Sequence, residues 1–271
     1  MQKMKAGFIG FVPQGADYFE TVKSYAKMGY KGLESAMGLF REGDPVENAK
    51  RVRSFGLEPL ALGTRLTNGE KPDVADLIKR AKMVGVNNVV LYHIDATQWR
   101  FGMHPTKPTD TEVLNDFKII DEVSKELAKE GIDMLFHNHD QEFLATINGV
   151  PLFWAMAAYC ESLKFELDLG WVNYAGFDPA TVIRQLGSRL KLLHVKDYIP
   201  GKHLHQQNEN VIVPRYCAPG AGVLDLFSAF EAACELGIEW AIIEQDNQHL
   251  LTAQESVQVA YYNMKDTGFV E

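Results

Sequence analysis

The chain has 271 residues, 46% of them hydrophobic, and a formal net charge of −9 at pH 7. This length suits one α/β barrel of about 250 residues. The acidic balance argues against a nucleic-acid partner, because phosphate contacts need clustered Lys and Arg. The apolar stretch 8–12 is too short for a signal peptide or a membrane span, and the three widely spaced cysteines argue against a disulfide framework. We therefore expect a cytoplasmic protein without a membrane partner.

Short apolar runs alternate along the chain with longer amphipathic segments. The apolar runs predict eight strands, over residues 7–11, 32–35, 58–62, 88–93, 133–138, 164–169, 191–195 and 241–244. The amphipathic segments predict helices over 17–28, 45–54, 73–84, 110–130, 179–186 and 224–236. Aspartate at or just before the start of most of these segments, and glycine after the end, are typical helix start and stop signals.

The order of these elements predicts a closed barrel. Near-continuous apolar strands are typical of strands buried on both faces, and their alternation with helices implies parallel pairing. An open, doubly wound sheet is the alternative, but Gly10-Phe-Val-Pro-Gln-Gly15 lacks the GxGxxG spacing of its phosphate loop. We predict a (β/α)8 TIM barrel that forms a single domain over residues 1–271. Two long irregular stretches, 95–109 and 199–222, are expected to form loops on the active-site face.

The last four predicted strands all end in ionisable residues, whereas the first four carry few beyond Glu34 and His93. Buried charges are costly unless they are paired or bind a metal. The four strand ends are neighbours around the barrel axis, so one side chain from each is expected to converge on a single divalent ion. The predicted ligands are Glu142, Asp168, His194 and Glu244.

Each predicted ligand also has an ordinary structural interpretation. Glu142 could cap a loop, and Asp168 could accept a hydrogen bond from the start of the next helix. His194 could be a core histidine, and Glu244 could pair with a neighbouring Lys or Arg. As a metal site, three carboxylates and one imidazole suit Mn²⁺ best, with Co²⁺, Mg²⁺ or Zn²⁺ as alternatives. On that interpretation Glu142→Gln should lose the metal.

Five motifs end or follow the later strands: His137-Asn-His-Asp-Gln-Glu-Phe143, Asp168-Leu-Gly-Trp171, Ala175-Gly-Phe-Asp-Pro179, His194-Val-Lys-Asp197 and Glu244-Gln-Asp246. Together they resemble the sugar phosphate isomerase/epimerase family of the xylose isomerase-like TIM barrel superfamily. The resemblance implies that the four matching positions bind Mn²⁺ or Co²⁺ and that Glu142 and Glu244 double as acid and base. The sequence departs from related ketose epimerases at Trp171, where those enzymes commonly have a substrate-contacting histidine.

The expected chemistry passes through an enediolate. The metal would bind a carbonyl oxygen and an adjacent hydroxyl, while one glutamate removes a proton and the other returns it. His137 and His139 share one face of their strand, and we expect them to act as accessory acid/base or hydroxyl-binding groups. For His137, packing inside the barrel is an equal alternative.

Three further residues are predicted to bind substrate: Lys196, Trp171 and His93. Lys196 lies two residues beyond His194 and should share its face, where it could hold a substrate oxygen. Pairing with Asp168 or Asp197 is the alternative for Lys196, and plain packing is the alternative for Trp171.

These features predict a metal-dependent isomerase or epimerase whose small-molecule substrate is a sugar or keto-sugar. The same site could serve a lyase that dehydrates an inosose or cleaves a 3-keto-glycoside or C-glycoside, the last with a small partner subunit. A three-metal endonuclease and a non-enzymatic sugar-binding barrel are further alternatives, and the acidic net charge disfavours the endonuclease. The resemblance also implies a homo-oligomer. The lack of an obvious phosphate-binding cluster favours unphosphorylated substrates.

Overall fold

Parallel strands close into a barrel, which confirms the predicted fold class. The computed structural model describes residues 1–94, 97, 106–205, 208–248 and 250–271, without the side chains of 202–212. The strands are β1 (Lys5–Phe8), β2 (Gly32–Leu33), β3 (Glu58–Pro59), β4 (Leu62–Arg65), β5 (Asn88–His93), β6 (Asp133–His137), β7 (Thr146–Ile147), β8 (Val150–Pro151), β9 (Lys164–Asp168), β10 (Leu190–Val195), β11 (Asp197–His205), β12 (Asn208–Cys217) and β13 (Trp240–Ile243).

Nine of these segments form one sheet, in the order β3-β2-β1-β13-β10-β9-β6-β5-β4, and its pairings are parallel. The two segments at the ends of this order, β3 and β4, are consecutive pieces of the same stretch of chain. The sheet therefore closes on itself as an eight-stranded barrel, with β3 and β4 together making the third strand. All eight predicted barrel strands are found.

Helices cover the outside of the barrel. Among the described residues they span Tyr18–Met28, Pro45–Ser54, Val74–Val84, Asp110–Ala128, Gln141–Leu144, Leu152–Tyr159, Leu169–Tyr174, Pro179–Leu186, Leu226–Glu235 and Ala253–Asp266. The predicted aspartate caps work as expected: the side chains of Asp17, Asp73 and Asp178 accept hydrogen bonds from backbone N–H groups three residues on. No helix of the described chain is long and apolar enough to cross a bilayer.

Four helices and two hairpins, β7–β8 and β11–β12, were not predicted from the sequence. Leu152–Tyr159 is apolar on every side, so it gives no amphipathic signal, and Gln141–Leu144 and Leu169–Tyr174 are too short to show a period. The prediction of an irregular loop over 199–222 was wrong, because β11 and β12 form an antiparallel hairpin there. The β-branched run Val211-Ile-Val213 was the available signal. Most of the predicted loop 95–109 lies outside the described residues.

The barrel interior has an apolar lower layer and a polar upper layer. The lower layer is a buried cluster of Leu60, Ala61, Val90, Leu135, Leu192 and Ile242. Side chains alternate along a strand, so the next inward-facing residues on those strands are Tyr92, His137, His194 and Glu244. The strand ends therefore bring ionisable groups to the top of the barrel while its base remains hydrophobic.

Candidate functional site

Four side chains meet at the carboxyl ends of β6, β9, β10 and β13. They are His137, Asp168, His194 and Glu244, and their ligand atoms all lie within 4.8 Å of one another. His137 and Asp168 are the last residues of β6 and β9, His194 is the penultimate residue of β10, and Glu244 follows β13 directly. We call these four residues the metal group, because two imidazoles and two carboxylates from four adjacent strands can hold one divalent ion.

Asp168 provides a direct test of whether the metal group fits a cation. Its Oδ1 accepts a hydrogen bond from the Trp171 backbone N–H at 2.8 Å and thereby caps the following helix. Its Oδ2 is buried and has no hydrogen-bond partner. Buried carboxylate oxygens are normally hydrogen-bonded, and this one has only longer contacts, to Lys196 Nζ at 3.6 Å and to His137 Nε2 at 3.9 Å. Oδ1 therefore caps the helix, which is the ordinary role that the sequence allowed for Asp168, and Oδ2 is the oxygen that could bind a metal ion.

The structure does not place Glu142 in the metal group. Glu142 lies in the short helix after β6, is 1% exposed and accepts a hydrogen bond from the His139 backbone N–H at 2.6 Å. Burial raises its pKa to about 7, against a lowering contribution from the Thr97 hydroxyl. Glu142 thus matches the loop-capping alternative. The residue that β6, the fifth strand of the barrel, contributes to the metal group is His137. The predicted ligand Glu142 lies outside the metal group, because the turn after β6 separates it from the strand end.

Both histidines of the metal group are held by carboxylates. His194 Nδ1 lies 2.9 Å from Glu244 Oε2, and its Nε2 lies 2.7 Å from Glu34 Oε2. His137 Nδ1 lies 3.0 Å from Glu166 Oε1. Although burial alone would lower the pKa of His194, the carboxylates around it, first Glu166 and then Glu34, raise that pKa well above its ordinary value.

Lys196 is buried beside the metal group and is 2% exposed. Its Nζ lies 3.1 Å from Glu244 Oε2, 3.1 Å from Asp246 Oδ2 and 3.6 Å from Asp168 Oδ2. Burial would lower the pKa of Lys196, but these carboxylates, led by Asp246, raise it above its ordinary value. In turn, Lys196 and His194 hold the pKa of Glu244 well below its usual range against the effect of burial. Lys196 is thus a fixed internal cation, and the pairing alternative with Asp168 holds.

A cavity of about 570 Å³ opens above the metal group. Among the residues that line it are Tyr92, His93, His137, His139 and Glu244. The rings of His93 and His139 stack with centroids 5.0 Å apart. Burial lowers the pKa of both rings, that of His93 to about 4 with a further contribution from Arg65, and that of His139 well below its ordinary value. Both imidazoles are therefore neutral near pH 7.

The remaining predicted substrate contact, Trp171, lies behind the cavity wall. It is 3% exposed, and the Lys196 ammonium lies 5.2 Å from the centroid of its ring. Its ring also packs at 5.6 Å from that of His139. Packing, the ordinary alternative for this residue, describes its environment, because a side chain this deeply buried presents almost no surface to a ligand.

Sequence reasoning missed two carboxylates below the metal group, Glu34 and Glu166. Both are fully buried. The available signal for Glu166 was its position two residues before Asp168, which places it on the same inward face of β9. Glu34 follows β2 on the far side of the barrel, and only closure of the sheet brings it to His194. Arg65 was also not assigned, although it lines the cavity.

The chain matches the family profile described as "Xylose isomerase-like TIM barrel" over residues 22–261. No curated protein sequence matches it significantly. Among solved structures it is similar to a sugar phosphate isomerase/epimerase from Parabacteroides distasonis ATCC 8503, with a TM-score of 0.74 and 20% identity over 100% of this chain and 98% of that one.

Two other solved structures share the fold at lower identity. The probable 3-DHS dehydratase involved in petrobactin synthesis from Bacillus anthracis has a TM-score of 0.77 and 14% identity, covering 97% of this chain and 99% of that one. A D-psicose 3-epimerase from Clostridium cellulolyticum H10, solved with D-tagatose, has a TM-score of 0.68 and 17% identity, covering 97% and 99%. The family profile covers most of the sequence and the barrel is closed, so the chain belongs to the xylose isomerase-like TIM barrel family.

Proposed function

We propose that this protein is a divalent-metal-dependent isomerase or epimerase that acts on a sugar or keto-sugar through an enediolate. The observation that carries the proposal is the metal group at the floor of the cavity, whose ligand atoms include Asp168 Oδ2, a buried oxygen that accepts no hydrogen bond. Two imidazoles and two carboxylates suit Mn²⁺, with Co²⁺ or Zn²⁺ as alternatives, and the second imidazole disfavours Mg²⁺, which prefers oxygen ligands.

The ion, when bound, would act as a Lewis acid that polarises a substrate carbonyl and so acidifies the neighbouring C–H. Glu244 is the group of this chain best placed to take that proton. Its side chain is 19% exposed, it lines the cavity, and Lys196 and His194 keep it ionised. A carboxylate that remains charged within a mostly buried site is a competent general base.

A second proton carrier is needed for epimerisation, because the proton must return to the opposite face of the substrate carbon. With Glu142 outside the cavity, His139 and His93 are the candidates. His93 ends β5 and His139 follows β6, across the mouth of the barrel from Glu244. One of these imidazoles would take up a proton from water beside a negatively charged intermediate and donate it to carbon, while Glu244 releases its own proton to solvent.

The lyase alternative rests on the same pair of histidines. The sequence predicted Glu142 as the second acid or base, but Glu142 does not line the cavity, whereas the stacked His93–His139 pair does. An imidazole that has picked up a proton is a suitable acid for a departing hydroxyl or alkoxide. The two functions differ in product: a stereoisomer or positional isomer of equal mass, or loss of water or an aglycone.

The test is incubation of the metal-reconstituted protein with ketoses, inososes and 3-keto glycosides in D₂O. The proposal predicts a product isomeric with its substrate that carries one solvent deuterium at the reacting carbon, and loss of turnover after treatment with a chelator. Turnover without deuterium uptake would contradict the enediolate route. Full turnover by metal-free protein would contradict the whole proposal, and loss of water or aglycone would establish the lyase.

A further inference from the structure

A second layer of carboxylates lies directly beneath the metal group. Glu34 is 1% exposed and Glu166 is 0% exposed. Glu166 Oε1 lies 3.0 Å from His137 Nδ1 and 3.1 Å from His194 Nε2. Glu34 Oε2 lies 2.7 Å from the same His194 nitrogen. The two carboxylates thus contact both histidines of the metal group on the side away from the cavity.

The contacts divide the nitrogens of each histidine between two tasks. His137 Nε2 faces Asp168 Oδ2 at 3.9 Å and Glu244 Oε2 at 3.8 Å, within the metal group. His194 Nδ1 faces Glu244 Oε2 at 2.9 Å, also within the metal group. The nitrogens left over, His137 Nδ1 and His194 Nε2, both point to the lower carboxylates. A neutral imidazole that carries its proton on that lower nitrogen presents a lone pair to a cation above.

The lower layer is itself held in place. The Tyr92 hydroxyl donates a hydrogen bond to Glu34 Oε1 at 2.5 Å. Room for the tyrosine ring comes from Gly63 on the neighbouring strand, since an added Cβ there would lie 2.6 Å from Tyr92 Cε2. Two neighbouring buried carboxylates carry a large desolvation penalty. A packed apolar pair would avoid that penalty, but it would leave both lower imidazole nitrogens without acceptors.

We propose that Glu34 and Glu166 are positioning residues that fix the tautomer and ring orientation of His137 and His194 for metal binding. The inference rests on the proposed metal site and assigns these residues no contact with substrate. A carboxylate acceptor behind a ligating imidazole makes the imidazole a stronger donor to the metal, and loss of such an acceptor typically weakens metal affinity by about 10–100-fold. Glu166 contacts both histidines, so it should matter more than Glu34, which contacts one.

The lower layer offers a competing use, because Glu34, Glu166 and His194 also place ligand atoms within 4.8 Å of one another. A second cation there would have to take the His194 nitrogen that Glu34 already contacts at 2.7 Å. Metal stoichiometry separates the two uses: positioning requires one ion per chain, and a second site requires two.

The test is Mn²⁺ affinity, measured by competition with a chelator on metal-free wild type, Glu166→Gln and Glu34→Gln, with Glu142→Gln as a control that replaces a buried carboxylate outside the cluster. We expect one ion per chain in all four proteins, about 10–100-fold weaker binding in Glu166→Gln, a smaller loss in Glu34→Gln and no loss in the control. The Co²⁺ absorption spectrum should change in the two lower-layer variants alone. Their metal-free melting temperatures should stay close to that of the wild type, because each variant leaves the other carboxylate facing His194 and so strands no buried charge. A purely structural role would instead lower melting temperature and affinity together.

Two other outcomes are informative. Unchanged affinity and spectrum in both lower-layer variants would overturn the positioning role while leaving the metal group intact, and so would two ions in the wild type falling to one in the variants. Failure of the wild type itself to bind Mn²⁺, Co²⁺ or Zn²⁺ would contradict the proposed function, on which this inference depends.

Discussion

Charged side chains are exposed at the amino ends of the barrel strands and buried at their carboxyl ends. At the amino ends of the strands, a cavity of about 1000 Å³ is lined by ion pairs such as Lys5–Glu239 at 2.7 Å and Lys191–Asp133 at 3.5 Å, whose side chains are 37–49% exposed. At the carboxyl ends the cavity is smaller, about 570 Å³, and the charges beneath it are buried and shared. We expect the larger cavity to be the less reactive one, because its charged side chains are solvated and form simple ion pairs.

The difference shows where a barrel can do chemistry. A solvated ion pair contributes little to stability, and the surrounding fold does not need to hold its side chains in place. Buried carboxylates that share one lysine and two histidines persist only where the surrounding structure holds them. We therefore expect function where buried charge is incompletely compensated, whatever the size of the cavity above it.

Removal of a member of the metal group should have the largest effect. We expect Asp168→Asn and His194→Gln to lose bound Mn²⁺ and to lower kcat/KM by at least about a thousandfold, equivalent to about 4 kcal/mol of transition-state stabilisation. Elemental analysis and steady-state kinetics measure the two quantities. A variant that kept its bound metal and its kcat/KM would contradict the proposed metal-binding role of these residues.

Lys196→Met compares a buried cation with an exposed one. This variant leaves Glu244, Asp246 and Asp168 without their shared ammonium, and a broken buried pair destabilises a protein by about 3–5 kcal/mol. Lys191→Met, which breaks the exposed pair at the other end, should lower the free energy of unfolding by no more than about 1 kcal/mol. Denaturant unfolding of metal-free protein measures both. Added Mn²⁺ should recover more stability in Lys196→Met than in wild type, and equal losses in the two variants would show that burial does not decide the effect.

Glu142 gives a prediction with a defined pH dependence. Burial raises its pKa in the folded protein to about 7, above the ordinary value of 4.5, so the folded state binds more protons than the unfolded state between these pH values. Stability from this group is fully present below about pH 4.5 and is lost as pH rises to about 7, by about 3 kcal/mol. Glu142→Gln should be free of that loss, so its stability advantage over wild type should grow across this interval. A constant difference from pH 4.5 to 7 would contradict the buried, raised-pKa carboxyl.

The smallest effect is expected from Glu58→Gln at the amino end of the barrel. Arg53 pairs with Glu58 at 2.8 Å, and the two side chains are 35% and 50% exposed. We expect a change in unfolding free energy of at most about 1 kcal/mol, no change in metal content and an unaltered kcat/KM. A large loss of activity would give the amino-end cavity a role that its solvated pairs do not indicate.

Much of this architecture could be predicted from the sequence because strand patterning is local. Apolar runs such as Asn88–His93 and Lys164–Asp168 and the aspartate helix caps depend only on neighbouring residues. Three of the four predicted ligands, Asp168, His194 and Glu244, lie in the metal group because each ends or directly follows its strand. Glu142 was misplaced because the chain turns between His137 and Glu142, and spacing alone does not reveal a turn of four or five residues.

The lower carboxylate layer lay beyond the sequence for a different reason. Glu34 and His194 are 160 residues apart in the chain, and only barrel closure brings them together. Lys196 was assigned to substrate because its inward direction could be predicted, whereas its three carboxylate partners depend on the side-chain packing of two further strands. The direction in which a strand residue points follows from the local sequence, but the residues that it contacts depend on the tertiary fold.

The most direct test of the account is Mn²⁺ titration of three metal-free proteins: wild type, His137→Gln and Glu142→Gln. If His137 is the fifth-strand ligand, wild type and Glu142→Gln will each bind one ion per chain with similar affinity, and His137→Gln will bind at least about tenfold more weakly. Loss of binding in Glu142→Gln with full binding in His137→Gln, or no binding by the wild type, would contradict the site described above.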